Sequence, residues 1–265
     1  MKIFDRACLV QVSTSCWSGS KTLNQTVMQH LGNADWLKGK KLLISPECLN
    51  PIKNCVHKGR KLVGRYALPF PLKGMALVPK ESLEELDVQL ELLSMEYWDH
   101  VDAFLAQYDT ARDEAQAKLG SLFQETDYPL NLRHKFRFDW RFLSLDVPTQ
   151  ASILSPEVYA REKEKFQTLM TEAQDLAITA LRDEFAQIVQ HLVDRLVSPD
   201  TNDKDTPQVL RSNMLNRMHE FLDGFSDKNL FQDDQLAQLV QEARTIISTV
   251  HFGDDGTSFK HNEVL

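Results

Sequence analysis

A stripe of apolar residues recurs in steps of three and four along the middle of this chain. Its members are Leu83, Leu86, Leu90, Leu93, Tyr97, Val101, Phe104, Tyr108, Ala111 and Ala115. This spacing is that of one face of an α-helix. With Pro79 and Gly120 on either side, it predicts a single helix over 82–118, roughly 55 Å long at about 1.5 Å per residue. A helix of that length must bury its stripe against another long element.

A second long stripe supplies a candidate partner. It begins after Ser155-Pro156, a helix cap followed by proline in the first turn, and ends at Pro199. Its members are Phe166, Met170, Ala173, Ala177, Leu181, Phe185, Ile188, Leu192 and Leu196. The two stripes together predict a long antiparallel helical pair with additional helices packed on it.

The segment between these helices has a different period. Residues 132–147 alternate, with His134, Phe136, Phe138, Trp140 and Phe142 on one face and Arg133, Lys135, Arg137, Asp139 and Arg141 on the other. Such alternation is typical of a half-buried strand. We expect it to join strands predicted at 9–17 and 41–45 in one small sheet.

The remaining segments complete an α+β, predominantly α-helical fold. Asn50-Pro51 opens a helix that runs to about Val63 and is interrupted by Gly59 and Gly64; Thr206-Pro207 opens another, and a last helix is capped near Asp233 or Asp234. The predicted organisation is a basic mixed α/β head over 1–80 with its sheet completed by 132–147. The long helical pair with its inserted strand follows over 81–197, then C-terminal helices over 206–250 after a polar linker at 198–205, and a flexible tail over 251–265.

Composition bounds the class of protein. Hydrophobic residues make up 42% of the 265, enough to bury a core, so a wholly disordered chain is excluded. Asp5 and Arg6 stand where a signal peptide would need apolar residues, and we expect a cytoplasmic protein. The four cysteines are too few and too irregularly spaced for a disulfide framework, so reduced thiols are expected.

Charge is divided unevenly along the chain. Residues 1–80 hold thirteen Lys and Arg against three acidic residues, a net of +10, whereas residues 81–265 have a net of −18. This asymmetry favours a polyanionic partner such as nucleic acid for the basic head. Pairing of the head with acidic surfaces, its own or a partner's, is the alternative.

Nine basic residues are the candidate polyanion-binding site. They lie around the predicted head helix and on the solvent face of the alternating strand: Lys53, Lys58, Arg60, Lys61, Arg65, Arg133, Lys135, Arg137 and Arg141. If sheet packing brought the two groups together, they would form one patch able to follow a phosphate backbone.

Catalytic and metal motifs are weak. Gly19-Ser20-Lys21-Thr22 lacks the glycines of a phosphate-binding loop, and the segment from Gly59 to Gly64 lacks its Lys and Ser/Thr. Cys48, Cys55 and His57 match no zinc-ligand spacing, and Asp99-His100 is best interpreted as a surface pair. The sequence predicts no catalytic residues, no metal site and no cofactor, and therefore favours a protein that is not an enzyme. An enzyme with an unfamiliar site, in a deep pocket lined by perturbed titratable groups, is a further hypothesis.

Several short motifs carry a family resemblance. They are Ser15-Cys16-Trp17-Ser18-Gly19, Leu43-Ile44-Ser45-Pro46, Leu49-Asn50-Pro51, Gly64-Arg65-Tyr66-Ala67-Leu68-Pro69 and Tyr108-Asp109. In this order they resemble an uncharacterised family of bacterial, phage and integrative-element proteins, best over 1–150. Members are typically encoded beside a MoxR/CobS-like AAA+ ATPase and a CobT-like protein with a von Willebrand A domain.

The resemblance implies a non-enzymatic adaptor. Such a protein would work with the ATPase and the von Willebrand A-domain protein in a mobile-element or phage-related setting. A nucleic-acid-binding protein that uses the basic head is the alternative. The sequence leaves the oligomeric state and the direct partner open.

Overall fold

The computed structural model describes residues 3–30, 33, 35–146, 155–197, 209–210, 212–248 and 259–260. The strands and helices in chain order are β1 (Ala7–Ser15), β2 (Ser20–Thr22), α1 (Gln25–Gln29), β3 (Lys40–Leu42), α2 (Asn50–Tyr66), β4 (Leu68–Pro69), β5 (Met75–Pro79), α3 (Leu83–Ala106), α4 (Tyr108–Leu119), β6 (Arg137–Leu143), α5 (Pro156–Val197), β7 (Val209–Leu210), α6 (Ser212–Lys228), α7 (Asp234–Ser248) and β8 (Phe259–Lys260). The predominantly helical α+β class predicted from the sequence is confirmed.

A four-stranded sheet with the order β4-β5-β1-β6 combines N-terminal strands with the alternating segment. Strand β6 is next to β1, which confirms the prediction that the aromatic strand joins the N-terminal sheet. The predicted strand near 41–45 lies elsewhere, because β3 pairs antiparallel with β2 in a separate two-stranded sheet, with Lys21 opposite Lys41.

The chain forms two compact units that are interleaved in sequence. Unit 1 comprises Met1–Val10, Tyr66–Leu83 and Phe142–Leu265, and unit 2 comprises Gln11–Arg65 and Glu84–Arg141. Strands β1 and β6 each begin in one unit and end in the other, so the units do not follow the consecutive segments predicted from the sequence.

The core of unit 1 gathers on the second apolar stripe. Ala173, Ala177, Leu181 and Ile188 of α5 are buried in one cluster with residues of α6 and α7 and of strands β1, β4 and β5. The rings of Phe185 and Phe221 lie 5.5 Å apart, which is the usual spacing of an aromatic pair. The second stripe is therefore buried within its own unit.

The core of unit 2 forms where α2, α3 and β6 meet. The Tyr97 ring lies 5.3 Å from the Phe138 ring. A Cβ added to the buried Gly59 would approach Phe138 to 3.2 Å and Leu93 to 3.5 Å. Glycine at this position lets the β6 ring lie directly against the helix backbone. Helix α2 continues unbroken through Gly59 and Gly64 to Tyr66, so the predicted interruption is wrong.

The first apolar stripe has packing partners within its own unit. Leu86, Leu90, Leu93, Tyr97, Val101 and Phe104 are buried as predicted. Their contacts include Gly59 and Phe138, and Trp17, whose ring lies 6.4 Å from that of Phe104. Each of the two stripes thus has packing partners in its own unit. One stripe pattern specifies that a helix is buried, but it does not specify by what.

The predicted helix over 82–118 is two helices. Gln107, with φ −104° and ψ 2°, separates α3 from α4. The rings of Phe104 and Tyr108, one on each side of the break, both lie near Trp17, at 6.4 and 5.9 Å. No proline or glycine marks this break, so it could not be predicted from the sequence.

Strand β6 is shorter than predicted. Residues 133–135 form a turn of 3₁₀-helix instead, in which the Lys135 amide donates to the Leu132 carbonyl at 2.9 Å. His134 is exposed in this turn and does not share the aromatic face. Within β6, Phe138 is buried beside the exposed Arg137, as the alternation predicts. Arg141 and Phe142 are both exposed, so the predicted burial of Phe142 on the aromatic face is wrong.

The C-terminal predictions are met in part. Helix α7 begins after Asp233, whose carboxylate accepts the Leu236 amide at 3.2 Å, which confirms the cap. The preceding helix begins at Ser212, because Val209 and Leu210 pair with Lys260 and Phe259 as β7 and β8. Two apolar residues are too few for their period to distinguish helix from strand. The predicted linker at 198–205 and the tail residues 251–258 and 261–265 lie outside the described residues.

Candidate functional site

The solvent face of α2 is basic along its whole length. The helix holds Lys53, Lys58, Arg60, Lys61 and Arg65 in seventeen residues and contains neither Asp nor Glu. Ile52, Cys55 and Gly59 are buried on its inner side, which turns the cations outward. Because no acid on the helix offsets them, their fields add. We call this surface the α2 basic face.

Acidic neighbours neutralise part of the candidate set. The Lys58 ammonium lies 2.6 Å from the Glu96 carboxylate of α3. Arg133 pairs with Asp102 and lies 5.0 Å from the Trp98 ring centre, a cation–π contact. Arg141 lies 3.7 Å from Asp139. Arg65 also interacts with another residue, so it is not counted among the cations without a partner.

Five of the nine candidate cations form no ion pair with any part of the chain that the structure describes. These are Lys53, Arg60 and Lys61 on α2, with Lys135 in the turn before β6 and Arg137 at its first position. The α2 group and the β6 group are not on one surface of the strand. Phe138 faces α2 at Gly59, and strand alternation turns Arg137 and Arg141 to the opposite side. The structure thus presents two basic groups, of which the α2 basic face is the larger.

The outward side of α3 has a different chemistry. Val88, Leu92 and Met95 are 47%, 56% and 61% exposed, and their spacing places them on one side of the helix. Exposed carboxylates of Glu84, Glu91 and Asp99 accompany them. We call these three apolar residues the α3 outward stripe. Exposed apolar patches rimmed by charges are typical of protein-binding surfaces.

A cluster of three potential metal ligands lies where α2 and α3 pack together. The Cys55 thiol, the Glu96 carboxylate and the His100 imidazole lie within 4.8 Å of one another. Burial raises the pKa of the Cys55 thiol, and the Glu96 carboxylate raises it further. The hydrogen bond from Lys58 holds the pKa of Glu96 below its ordinary value. The thiol is protonated at neutral pH, so it is not an activated nucleophile.

The sequence missed this cluster because its members come from two helices. Cys55 was considered with Cys48 and His57, but His57 is exposed and Cys48 lies in the turn before α2. His100 was interpreted as a surface partner of Asp99, whereas its imidazole Nε2 lies 3.7 Å from Glu96 Oε1. The spacing of Glu96 and His100 by four residues on α3 was the available signal, and the packing of α2 supplied the rest.

The candidate phosphate loops have structural roles. Lys21 of the first segment is on strand β2, where it pairs with the buried carboxylate of Asp127. The Lys41 ammonium lies 2.5 Å from the other oxygen of that carboxylate. Burial disfavours the charged form of Asp127, yet the two ammonium groups outweigh it, and its pKa lies below the ordinary value. The second segment, from Gly59 to Gly64, is continuous α-helix and forms no loop.

Unit 1 has an open cavity of about 840 Å³ that the sequence did not predict. Its lining is mixed, and includes Phe70, Met170 and Thr171. Arg6 is in the lining too, but its guanidinium donates to the Leu230 carbonyl at 3.1 Å.

Comparisons with known proteins bear on the whole chain. No curated protein and no solved structure matches it. A family model described as a protein of unknown function, DUF3150, matches residues 4–252. None of the described helices is long and apolar enough to cross a membrane. The match extends well beyond the region of the short motifs noted above, and the chain belongs to the DUF3150 family.

Proposed function

We propose that this protein is a non-enzymatic adaptor that docks other proteins through α3. The partners we propose are an AAA+ ATPase and a protein with a von Willebrand A domain, encoded beside the chain in a mobile-element or phage-related setting. The single observation that supports docking at α3 is the α3 outward stripe. Val88, Leu92 and Met95 together offer apolar area that is favourable to bury against a partner.

The carboxylates beside the stripe suit the second partner. A von Willebrand A domain of the adhesion type completes its divalent-metal site with an acidic side chain from its ligand. Glu91 and Asp99 are exposed on α3 and have no ion pair among the described residues. A partner that buried the stripe would bring a metal site within reach of these oxygen ligands, which hard divalent cations prefer.

Light scattering after size exclusion tests the proposal. The full chain is mixed with the neighbouring ATPase and the von Willebrand A-domain protein, in Mg²⁺ with and without nucleotide. We expect a complex that Leu92→Glu and Met95→Glu weaken, because each puts a charge where apolar surface is buried. Leu239→Glu on α7 is the matched control, since Leu239 is 50% exposed in unit 1. Failure to form a complex in every nucleotide state, or equal loss in the control, would contradict the proposal.

Nucleic-acid binding is a second candidate, and the α2 basic face is the observation that favours it. Lys53, Arg60 and Lys61 have no ion pair among the described residues, so no bridge must break before they meet phosphates. Fluorescence anisotropy with labelled duplex DNA at two salt concentrations tests this candidate. Each phosphate contact contributes about 0.9 to the slope of log affinity against log salt.

The decisive comparison reverses three charges. We expect the variant with Lys53→Glu, Arg60→Glu and Lys61→Glu to lose binding and to lower the salt slope. Lys163→Glu on α5, also exposed, is the control. Binding that is absent at low salt, or unchanged in the triple variant, would remove this candidate without affecting the adaptor proposal.

A further inference from the structure

The packing of α2 against α3 places three different metal-binding groups together inside unit 2. Cys55 lies on the buried side of α2, and Glu96 and His100 are one turn apart on α3. The sulfur, carboxylate oxygen and imidazole nitrogen are all within 4.8 Å of one another. We propose that Cys55, Glu96 and His100 bind one Zn²⁺ ion between α2 and α3.

The donor set fits zinc better than the harder divalent ions. Thiolate and imidazole are preferred by Zn²⁺, whereas Mg²⁺ and Ca²⁺ take oxygen ligands. The 3.7 Å between His100 Nε2 and Glu96 Oε1 is close to the ~3.4 Å that two ligands at ~2.05 Å span across a tetrahedral angle. The two remaining separations involve the Cys55 sulfur, whose bond to Zn²⁺ is longer at ~2.3 Å, and they are at most 4.8 Å.

The site has one open position. Three protein ligands leave the fourth tetrahedral position of Zn²⁺ for water or an exogenous group. The side chains of Glu96 and His100 are 41% and 38% exposed, so the open side faces solvent, while Cys55 closes the inner side. The site therefore has a buried sulfur anchor and an accessible outer edge.

The Lys58 ammonium competes with the metal ion for the Glu96 carboxylate. Its ammonium lies 2.6 Å from Glu96 Oε1 and compensates that carboxylate without a metal. On binding, Zn²⁺ takes the carboxylate, the Lys58 ammonium moves into solvent, and the Cys55 thiol releases its proton to water as the sulfur–zinc bond forms. The Lys58 side chain is 58% exposed, so its displacement needs no rearrangement of the core.

Co²⁺ titration of the full chain tests the site, followed by displacement of Co²⁺ with Zn²⁺. We expect one equivalent of Co²⁺ to give a sulfur-to-cobalt charge-transfer band and the visible bands of a four-coordinate ion, both removed by Zn²⁺. Cys55→Ala should abolish the charge-transfer band. Glu96→Gln and His100→Asn should each weaken binding by at least the roughly tenfold that loss of an outer-shell partner costs.

Two controls and one gain of affinity separate this site from adventitious binding. Cys48→Ala and His57→Asn remove the nearby thiol and imidazole that the structure places outside the cluster, and they should leave the titration unchanged. Lys58→Met should tighten binding, because the competing ammonium is gone. Absence of the charge-transfer band at stoichiometric Co²⁺, or its survival in Cys55→Ala, would overturn the proposal. If Cys55→Ala does not fold, unchanged affinity in both Glu96→Gln and His100→Asn would overturn it equally.

Discussion

The carboxylate of Asp233 holds the guanidinium of Arg182 through two hydrogen bonds, at 2.6 and 2.9 Å, while it also caps α7. One buried side chain therefore fastens α7 to the middle of α5. The same interaction lowers the pKa of Asp233, with the hydrogen bond from Arg182 as the main cause.

Substitution of Asp233 separates its two roles. Asp233→Asn retains a good N-cap and loses the charged pair, whereas Asp233→Ala loses both. We expect the free energy of unfolding to fall in both variants, and to be lower in Asp233→Ala than in Asp233→Asn by the about 0.5–2 kcal/mol that an N-cap contributes. Urea denaturation followed by circular dichroism measures this. Asp234→Asn is the control, and equal stability of the Asn and Ala variants would refute the capping role.

Two tyrosines of unit 2 should respond in opposite ways to replacement by phenylalanine. The Tyr97 hydroxyl donates to the Ser15 carbonyl at 2.5 Å and accepts the Arg137 amide at 3.1 Å. The Tyr108 hydroxyl is buried without a hydrogen-bond partner among the described residues. Tyr97→Phe should cost about 1–3 kcal/mol, since it leaves the Ser15 carbonyl and the Arg137 amide, both in partly buried hydrogen bonds, without this partner. Tyr108→Phe should be neutral or stabilising. Thermal and urea unfolding compare the two, and a larger loss in Tyr108→Phe would contradict the structure.

The two glycines of α2 form another matched pair. Alanine is a better helix former than glycine by about 0.8–1 kcal/mol in a helix interior. At Gly64 an added Cβ meets nothing within 4 Å. Gly64→Ala should therefore raise the free energy of unfolding by part of this difference in helix propensity. At Gly59 the Cβ would approach the Phe138 ring to 3.2 Å, so Gly59→Ala should gain less than Gly64→Ala, and Gly59→Val should destabilise. The order of melting temperatures checks the prediction, and a stabilising Gly59→Val would exclude the close packing.

Because of the buried carboxylate of Asp127, we expect the free energy of unfolding to depend on pH in the acid range. Its folded pKa lies below the unfolded value of about 3.9, so its contribution to stability is complete above that pH and is lost as pH falls through the folded pKa. Asp127→Asn should therefore be less stable than the wild-type protein at pH 6. The gap between the two should narrow towards pH 3. Unfolding measured across this range, with the exposed Asp113→Asn as control, tests the sign; a gap that widens in acid would refute it.

The sequence predicted burial better than it predicted partners. The stripe from Leu86 to Phe104 is buried at the expected positions because helical period reports which face is apolar. That Phe138 packs on Gly59 depends on contact between elements far apart in sequence, which no local pattern encodes. Gly59 was interpreted as a helix interruption, whereas its missing side chain allows the Phe138 ring to pack closely against α2.

In the candidate site, too, some features could be predicted from the sequence and others depended on the fold. Composition alone identified the basic charge of α2, because no acidic residue interrupts it. The pairing of Lys58 with Glu96 and of Arg133 with Asp102 required the fold, since each joins positions at least thirty residues apart. The grouping of Cys55 with Glu96 and His100 has the same origin, and a spacing motif confined to one segment could not reveal it.

The interleaving of the two units also sets an order for synthesis. Every residue of unit 2 lies before position 142, so the ribosome has produced all of it while unit 1 still lacks α5, α6 and α7. Since domains fold as units during translation, unit 2 can close first, and the opening residues of the chain must wait for the last helices. Neither unit corresponds to one continuous stretch of the gene, so neither can be gained, lost or exchanged by a single cut and join.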